Sequence, residues 1–420
     1  MATIANDPSN PPTRPPALPL EGIRVMDVTH IVAGPFCSMI LADMGAEVIK
    51  IERPGIGERG RHNGPFIDGE DGARVSARYL GLNRNKKSVV LDLRDPRCKA
   101  AFERMVKESD ILLDNWGPGA LRRLGLGYDV LKEFNPSLIY ASLTGYGDPE
   151  GPAPGPYSDW PANNPCVQGM GGWMAVTGEP GGAPQMVGDN IGDSVPGVWT
   201  ALGIMMALEA RNRTGEGAFV DMSMYDCMAA HMTSTMPFYQ ATGAAAGRER
   251  GNMLSAQLAL RAKDGWVVLA GAGGPEKWKD LWRLMGREDL IEDERYLGVG
   301  VSGDFYMNSF VPALEGWTLE RTKAEVTSQL IEIGYSMGIV QDTADLDNCP
   351  HLEARGMFIN GGNNLGGIFR TVNTPIKIAG AAATPNIQPP FLGANNEEIL
   401  CSIGGVSKED LELMQADGVV

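Results

Sequence analysis

The sequence predicts an α/β protein whose larger part is a doubly wound, Rossmann-like parallel sheet, accompanied by a smaller α+β domain. Short segments rich in Val, Ile and Leu recur through the first third of the chain, and helical segments separate them. Strands that are apolar along their whole length are typical of parallel sheets, because crossover helices cover both faces. At 420 residues the chain is also longer than one hydrophobic core usually grows, which predicts a second domain.

Strand and helix segments alternate through the first half. The predicted strands are GIRVMDV, EVIKIE, KSVVLDL, DILLDN and LIYASLTGYG, and the predicted helices between them are AGPFCSMILADMGA, PRCKAAFERMVKES and YDVLKEFNP. A loop rich in Pro, Gly and Asn then leads to a long helix, predicted from about Ser194 to Arg213. Its N-cap is expected to be Ser194 or Asp193, with Pro196 in the first turn.

The second half has a different pattern. GEGAFVDMSMYD predicts a short strand that leads into a helix. The pattern changes at about Met232, and after that point KDGWVVLAGAG predicts a hairpin strand. EKWKDLWRLMG and TKAEVTSQLIEIG predict amphipathic helices, and SKEDLELMQ predicts a final helix capped by Ser407. GEGAFVDMSMYD completes the larger domain, and the later elements belong to the expected smaller domain and to a terminal segment.

Composition limits the classes of partner. The formal net charge is −16, which argues against nucleic-acid binding, because that needs a basic surface to displace counterions. Arginine and lysine nevertheless cluster in IERPGIGERGR, NRNKK and LRR, so a small anionic ligand remains compatible. The first residues lack the basic and apolar regions of a secretory signal, and no apolar run reaches about 20 residues, so we expect a cytoplasmic protein without a membrane partner.

Cysteine and histidine spacing does not favour a metal centre. The six cysteines show no CxxC or CxxH spacing, and the four histidines are not paired at a ligand spacing. We therefore expect structural thiols, and neither a disulfide framework nor a zinc site.

The residues that follow the predicted strands are candidates for ligand binding, because ligands of doubly wound sheets gather at the carboxyl ends of the strands. These residues are His30 and Ile31, Glu52 and Arg53, Asn115 and Trp116, and Thr144. A dinucleotide site would need GxGxxG directly after the first strand, but DVTHIVAGPF has a single glycine. The pattern therefore favours a different anionic ligand.

Four long segments resemble the class III CoA-transferases, the family of formyl-CoA transferase, carnitine CoA-transferase and 2-methylacyl-CoA racemase. They are LEGIRVMDVTHIVAGPFCSMILADMGAEVIKIERPGIGERGR, LNRNKKSVVLDLRDP, LLDNWGPGALRRLGLGYDVLKEFNPSLIYASLTGYG and IGDSVPGVWTALGIMMALEARNRTGEGAFVDMSMYD. The resemblance implies an interlocked homodimer. It also implies a large CoA-binding and catalytic domain (20–226), a small domain (227–340) and a C-terminal segment that returns to the large domain (341–420). The prolines and polar residues of the first segment predict a mobile Pro-rich arm (1–19).

The family's CoA-binding positions correspond to seven residues of this chain. They are His30, Ile31, Arg53, Leu91, Arg94, Asn115 and Arg123. By resemblance, His30 and Ile31 line the thioester end, and Arg53 meets a CoA phosphate. Leu91 and Arg94 correspond to an adenine contact and a phosphate contact.

Asn115 and Arg123 correspond to pantetheine and phosphate contacts. A lysine that some transferases use is Pro161 here. CoA is expected as a substrate, and no tightly bound cofactor is expected.

The catalytic aspartate of the transferases lies in a GDS segment before the long helix. In this chain that segment is IGDSVPG, so the resemblance implies Asp193 as the nucleophile and leaves Asp189 without a catalytic role. Asp193 as a helix N-cap is a compatible structural role, because the helix dipole would stabilise its anion. Gly192 is expected to leave room for the thioester, and nearby backbone N–H groups to bind the oxyanion.

The resemblance leaves two alternatives to a transferase, namely a racemase and a non-catalytic CoA-binding protein. The racemase branch uses a His and an Asp, but the corresponding segments of this chain have no histidine, and Asn164 stands where that aspartate would be. An amide is not a general base at neutral pH. A non-catalytic CoA-binding relative is the second alternative, and the intact IGDS segment argues against it.

The substrate acid is predicted more coarsely. Formyl-CoA:oxalate transferases carry a polyglycine loop where this chain has RGNMLSAQLALRAKDG, which argues against an oxalate specialist. We favour a short dicarboxylate of the succinyl or mesaconyl type, including transfer between the two carboxyl groups of one acid. Arg248, Arg250 and Arg261 are the candidates for holding the second carboxylate, although each is also compatible with an ordinary surface arginine.

Overall fold

The computed structural model describes residues 17–69, 73–179, 181–248, 257–270, 274–297, 305–382 and 384–420. Among these residues the strands are β1 (Arg24–Asp27), β2 (Glu47–Glu52), β3 (Phe66–Asp68), β4 (Arg74–Ser76), β5 (Lys86–Val90), β6 (Ile111–Asp114), β7 (Ile139–Thr144), β8 (Ala218–Ser223), β9 (Gln257–Ala262), β10 (Gly265–Ala270), β11 (Ser336–Ile339), β12 (Phe358–Gly362) and β13 (Ile368–Val372).

The described α-helices are α1 (Ala33–Asp43), α2 (Ala77–Leu82), α3 (Pro96–Lys107), α4 (Ala120–Arg123), α5 (Tyr128–Phe134), α6 (Asn164–Met170), α7 (Trp173–Val176), α8 (Ile191–Thr214), α9 (Met224–Ala230), α10 (Thr235–Thr242), α11 (Pro275–Leu284), α12 (Val311–Thr318), α13 (Lys323–Glu332), α14 (Thr343–Asp347), α15 (Pro350–Ala354), α16 (Asn396–Ser402) and α17 (Lys408–Ala416). Single 3-10 turns lie at Arg59–His62, Glu288–Leu290 and Glu294–Tyr296.

Six strands form one parallel sheet in the order β5-β2-β1-β6-β7-β8. Counted along the chain, these six strands stand in the order 3-2-1-4-5-6, which is the order of doubly wound dinucleotide-binding folds. The order reverses between β1 and β6, and a crevice is expected at their carboxyl ends. The predicted mixed α/β class with a parallel sheet is confirmed.

Both faces of this sheet are covered, as its apolar strands require. Along β1, Val25 packs in a cluster that includes residues of α1 and α8, whereas Met26 packs in a cluster that includes residues of α3 and α17. Neighbouring residues of a strand point to opposite faces, so these two clusters lie on the two sides of the sheet. The sheet is therefore held between two apolar layers.

The edge strand β5 is bordered by the segment that precedes α16. The side-chain oxygen of Asn395 accepts a hydrogen bond from the N–H of Ser88 (3.0 Å), and the backbone N–H of Asn395 donates to the Ser88 carbonyl (2.9 Å). The side-chain oxygen of Asn396 accepts from the N–H of Val90 at 2.8 Å. Two amide side chains thus occupy backbone N–H groups of this edge.

The chain divides into two compact units. One unit contains residues 1–173, 187–232 and 354–420, and the other contains residues 174–186 and 233–353. The second unit has a three-stranded antiparallel sheet, β11-β10-β9, and a core around Trp278, Trp282 and Phe310. The domain limits drawn from the resemblance stay a prediction.

Helix α8 begins earlier than the sequence predicts. Asn190 is its N-cap, and Asp193 lies within its first turn, so the expectation that Asp193 or Ser194 caps the helix is wrong. Pro196 lies inside the helix and not in its first turn. Proline is common in the first turn of a helix, which is why the helix was predicted to begin close to Pro196. The packing of Gly192 against Asn164 adds a helical turn before this position. Ser407 is confirmed as the N-cap of α17, with its hydroxyl accepting from the N–H of Asp410 at 3.0 Å.

Among the described helices, α8 is long and apolar enough by length and composition to cross a membrane. Asp193 and Glu209 interrupt its apolar run, which is why the sequence shows no uninterrupted run of about 20 apolar residues. The core helix of a globular protein can have the same length and composition. The buried residues of α8 include Ala201 and Ile204, which pack in the cluster on one face of the sheet.

Candidate active site and anion-binding cavity

The loops that follow β1 and β6 are joined at the point where the strand order reverses. The side-chain oxygen of Asn115 accepts a hydrogen bond from the N–H of His30, and its side-chain N–H donates to the His30 carbonyl, both at 2.9 Å. Asn115 therefore fixes the backbone of the first loop. Its predicted pantetheine contact stays a prediction, and this amide already has two backbone partners.

Ile31 adopts an unusual backbone conformation in the same loop. Its φ is 71°, in the left-handed region that β-branched residues rarely adopt. The N–H of Ile31 donates to Oε2 of Glu58 at 3.0 Å, and the same oxygen accepts from the N–H of Gly60 at 2.7 Å. Glu58 is only 5% exposed, and its other oxygen, Oε1, is buried without a hydrogen-bond partner among the described residues. A buried carboxylate thus holds the strained residue.

A buried ionic cluster lies beneath this loop. Asp27, at the end of β1, is 3.8 Å from Lys50 and 3.3 Å from Lys86, and all three side chains are fully buried. Lys50 donates to the Thr29 carbonyl at 2.8 Å, and Lys86 donates to the Pro35 carbonyl at 3.1 Å. The two lysines therefore hold the two ends of the loop that carries His30 and Ile31.

Burial and charge shift the pKa values in this cluster in opposite directions. Burial alone would raise the pKa of Asp27, but Lys50 and Lys86 outweigh it and hold the pKa well below its usual range. Burial lowers the pKa of Lys86 to about 8, against the attraction of Asp27. Burial, followed by the positive charges of Arg59, Lys50 and Arg53, lowers the pKa of His30 to about 4, so His30 is neutral at physiological pH.

A cavity of about 590 Å³ lies at the carboxyl ends of the strands. Four of the predicted CoA-binding residues line it together, namely Arg53, Leu91, Arg94 and Arg123. A smaller cavity of about 60 Å³ is lined by His30 and Glu58, and it shares Arg53 and Trp116 with the larger one. The structure therefore brings the basic residues predicted for phosphate binding into one cavity, beside the loop that carries His30.

The arginines of the cavity differ in their present contacts. Arg53 is exposed, with its guanidinium 5.7 Å from the ring centre of Trp116. Arg123 donates to the Pro118 carbonyl at 3.0 Å. Arg94 is held by Asp92 through two hydrogen bonds of 2.9 and 2.8 Å, so a phosphate would have to share or replace that carboxylate. Trp116, a candidate for ligand binding because it follows a predicted strand, lines both cavities.

Asp193 is half-buried in the first turn of α8, and no hydrogen bond to its carboxylate is found among the described residues. Burial raises the pKa of Asp193 to about 6, although the positive charge of Arg78 opposes that effect. The sequence predicts that the helix dipole stabilises this anion, and burial acts on the pKa in the opposite direction. At neutral pH the carboxylate is still largely ionised.

Asn164 organises the backbone next to Asp193. Its side-chain oxygen accepts from the N–H of Gly192 at 2.9 Å, and a Cβ placed on Gly192 would lie 2.6 Å from the same oxygen. Gly192 is thus needed for close packing against Asn164, and its expected role of leaving room for the thioester stays a prediction. The N–H groups of Asp193 and Ser194 donate to the Asn190 carbonyl at 2.9 and 2.8 Å, so the three N–H groups expected to bind an oxyanion have internal partners.

Asp189 differs from Asp193 in its exposure and in the hydrogen bonding of its carboxylate. It is exposed in a loop with φ of 54°, and its carboxylate accepts a hydrogen bond from the side chain of Asn190 at 2.9 Å. Its backbone carbonyl accepts a long bond of 3.3 Å from Asn164. Asp189 therefore takes part in the loop that leads into α8.

Two of the three arginines considered for the second carboxylate, Arg248 and Arg261, already have partners within their own unit. Arg248 donates to backbone carbonyls, including that of Gly182 at 2.7 Å, and Arg261 forms an ion pair with Glu315 at 2.8 Å. Arg250 lies outside the described residues. No group of three or more His, Cys, Asp or Glu side chains that could hold a metal is found in the part of the chain that the structure describes.

Comparison with known proteins decides the family. The model of CoA-transferase family III matches residues 20–396. The chain belongs to CoA-transferase family III. The resemblance seen in the sequence is thereby confirmed, and the protein is an acyl-CoA:carboxylate CoA-transferase that acts on CoA thioesters.

Relatives within CoA-transferase family III match almost the whole chain. A succinyl-CoA–D-citramalate CoA-transferase of Chloroflexus aurantiacus is 34% identical over 97% of this chain and 99% of its own length. A succinyl-CoA:mesaconate CoA-transferase of Haloarcula hispanica is 34% identical over 92% of this chain and 96% of its own. The crystal structure of a CAIB/BAIF family protein from Brucella suis superposes with a TM-score of 0.81 at 32% identity, covering 92% of this chain and all of that one.

Proposed function

We propose that the protein moves CoA between a succinyl- or mesaconyl-type acyl-CoA and a short dicarboxylate, with Asp193 as the nucleophile. The observation that carries this proposal is the carboxylate of Asp193. It is half-buried and has no hydrogen-bond partner among the described residues, and its helix is fixed by Asn164. A nucleophile needs an ionised group that is not engaged by a neighbour, and Asp193 meets both conditions near neutral pH.

The reaction proceeds through two covalent intermediates. A carboxylate oxygen of Asp193 attacks the thioester carbonyl of the acyl-CoA. The C–S bond breaks, CoA departs as the thiolate, and an aspartyl acyl anhydride is formed on the enzyme. The thiolate then attacks the aspartyl carbonyl of this anhydride, which releases the free acid and forms an aspartyl-CoA thioester. The incoming carboxylate reverses these steps and leaves as the new acyl-CoA. The thioester energy is conserved, because water does not enter the sequence.

The nucleotide part of CoA is assigned to the cavity that Arg53, Arg94 and Arg123 line. Guanidinium groups bind phosphate through paired charge-assisted hydrogen bonds, and three of them at the carboxyl ends of parallel strands suit a polyphosphate. His30 and Ile31, beside the smaller cavity, are assigned to the thioester end. Because His30 is neutral, it would not form an ion pair with the departing CoA thiolate.

The substrate class rests on the relatives. Two relatives that span nearly the whole chain are named for succinyl-CoA with citramalate or mesaconate, which are short dicarboxylates. Transfer between the two carboxyl groups of one acid uses the same intermediates. A racemase activity is disfavoured, because the oxygen of Asn164 is occupied by the N–H of Gly192 and an amide is not a base. A non-catalytic role is disfavoured by the available carboxylate of Asp193.

The assembly is proposed to be an interlocked homodimer in the cytoplasm, with the domains as the resemblance implies. An exposed apolar stripe on α8 supports an interface, and its residues are Val198, Leu202, Met205 and Met206. Their spacing places them on one side of the helix, and exposed apolar patches of this kind mark interaction sites. A monomeric mass in light scattering at micromolar concentration would count against this assembly.

The nucleophile is tested with a matched pair of variants. Asp193→Asn keeps the shape of the side chain but cannot form the anhydride, so exchange of labelled CoA should fall by several orders of magnitude. Asp189→Asn, in the preceding loop, should keep most activity. Hydroxylamine trapping during turnover, followed by peptide mass spectrometry, should modify Asp193 alone. An active Asp193→Asn together with an inactive Asp189→Asn would overturn the assignment.

A further inference from the structure

Arg78 is a half-buried arginine on α2 without a hydrogen bond, ion pair or ring contact to another described residue. The helix that carries it is held firmly. Ser76 caps it by accepting from the N–H of Tyr79 at 3.1 Å, and the neighbouring side chains of Tyr79 and Leu80 are buried. The guanidinium of Arg78 is therefore carried by a well-anchored helix and keeps its donors available.

The other half-buried and buried arginines of the same unit show how unusual this is. Arg61 holds Glu52 through two hydrogen bonds of 2.7 Å, and Arg84 holds Asp43 through bonds of 3.0 and 2.6 Å. A guanidinium matches a carboxylate with two parallel hydrogen bonds, and leaving a partly buried one unmatched is costly. An Arg78 without a protein carboxylate is suited to a carboxylate that comes from a ligand.

Arg78 and Asp193 lie on two helices that both pack against α1. Helix α1 contacts both α2 and α8, and a Cβ placed on Gly197 of α8 would lie 2.8 Å from the carbonyl of Ala33, the first residue of α1. The positive charge of Arg78 acts on the carboxylate of Asp193, yet the two side chains are not in ion-pair contact. Neither group is therefore paired with the other, and both remain available to a ligand.

We propose that Arg78 is a specificity-determining residue that binds the second carboxylate of a dicarboxylate substrate whose first carboxyl group reacts at Asp193. This inference rests on the proposed function and names the residue that selects its substrate class. The guanidinium forms paired hydrogen bonds with the distal carboxylate, while Asp193 forms the anhydride at the other end. A monocarboxylate of the same length lacks this contact and gains nothing from Arg78.

Two identity exchanges measure the contact directly. Succinyl-CoA with labelled succinate is compared with butyryl-CoA and labelled butyrate, since butyrate has the same four carbons without the second carboxylate. In Arg78→Leu the kcat/KM for succinate exchange should fall about ten- to a hundredfold, the range of one charge-assisted contact, whereas butyrate exchange should be nearly unchanged. Arg78→Lys should recover part of the succinate exchange, because it restores the charge without the planar fork.

Butyrate exchange serves as the internal check on folding, and Arg74→Leu serves as the matched control. Arg74 is an exposed arginine on β4 that pairs with Asp68 at 2.6 Å, so its loss should leave both exchanges unchanged. Equal losses of succinate and butyrate exchange in Arg78→Leu would overturn the inference while leaving the transferase assignment intact. So would a parent enzyme that prefers butyrate to succinate. Undiminished exchange of both acids in Asp193→Asn would instead overturn the proposed chemistry.

Discussion

The backbone N–H of Ile31 is held by the carboxylate of Glu58 through a hydrogen bond of 3.0 Å. Ile31 has φ of 71°, and a β-branched residue in that region costs on the order of 1–3 kcal/mol. Such a conformation persists only when its surroundings fix it, and here Glu58, Asn115 and the buried lysines all act on one loop. The strain therefore lies at the loop assigned to the thioester end of CoA.

Removal of the Glu58 carboxylate should release this loop. In Glu58→Ala the N–H groups of Ile31 and Gly60 lose their acceptor, which should lower the free energy of unfolding by about 1–3 kcal/mol and raise the KM for acyl-CoA. Glu58→Gln keeps a side-chain oxygen for both donors and should retain most of the affinity. Steady-state kinetics and denaturant unfolding check both effects. Identical kinetics for the parent protein and Glu58→Ala would show that the loop does not need this carboxylate.

The pKa of Asp193 predicts an acid limb in the rate. Burial raises this pKa to about 6, and the nucleophile must be ionised, so single-turnover rates should rise with pH through about 6 and level off above it. His30 should add no limb in this range, because its pKa is lowered to about 4. Asp114, whose pKa burial raises to about 7, is the other candidate, and Asp114→Asn should leave the limb near 6 in place.

The same shift predicts an effect on stability. A carboxyl group whose pKa is higher in the folded than in the unfolded protein loses folding stability as the pH rises from about 4 through about 6. Asp193→Asn removes this penalty, so the variant should unfold at a higher temperature than the parent at pH 7 and at nearly the same temperature at pH 4. Calorimetry at the two pH values checks the sign. A variant that is less stable at pH 7 would contradict it.

The arginine cavity predicts opposite effects for charges of opposite sign. Arg53→Ala and Arg123→Ala should each raise the KM for acyl-CoA about tenfold or more, and change the KM for the carboxylate little. Asp92→Asn should lower the KM for acyl-CoA, because it removes the carboxylate that now holds Arg94. Equal effects on the two substrates would mean that the cavity does not bind CoA.

The buried ionic cluster predicts a large loss of stability in one variant. Asp27→Asn leaves Lys50 and Lys86 buried without their counter-charge, which should cost about 3–5 kcal/mol in the free energy of unfolding. Because the pKa of Asp27 is held low, its contribution is complete above the ordinary pKa of an aspartate and is lost as the pH falls below it. Guanidinium unfolding of the variant and the parent checks this, and a difference below about 1 kcal/mol would contradict it.

The parallel strands could be predicted from their apolar runs and the helices between them, but their order in the sheet depends on long-range pairing and was given only by the structure. Arg53 was predicted as a residue at a strand end, whereas Arg94 and Arg123 were assigned by the family resemblance, and all three line one cavity. The start of α8 could not be predicted, because it depends on Asn164, which is distant in the sequence. Arg78 carried no signal of its own in the sequence, because the packing of both α2 and α8 against α1 is a long-range feature of the fold.

The position of Asn395 and Asn396 along β5 has a consequence for solubility. A free edge strand presents backbone donors and acceptors that can pair with a strand of another molecule, and this is a common route to aggregation. Here the N–H groups of Ser88 and Val90 are already occupied by side-chain oxygens. Shortening the chain before this segment would expose the backbone of a parallel edge strand to other molecules, so precipitation could be mistaken for loss of enzymatic activity in such a truncation.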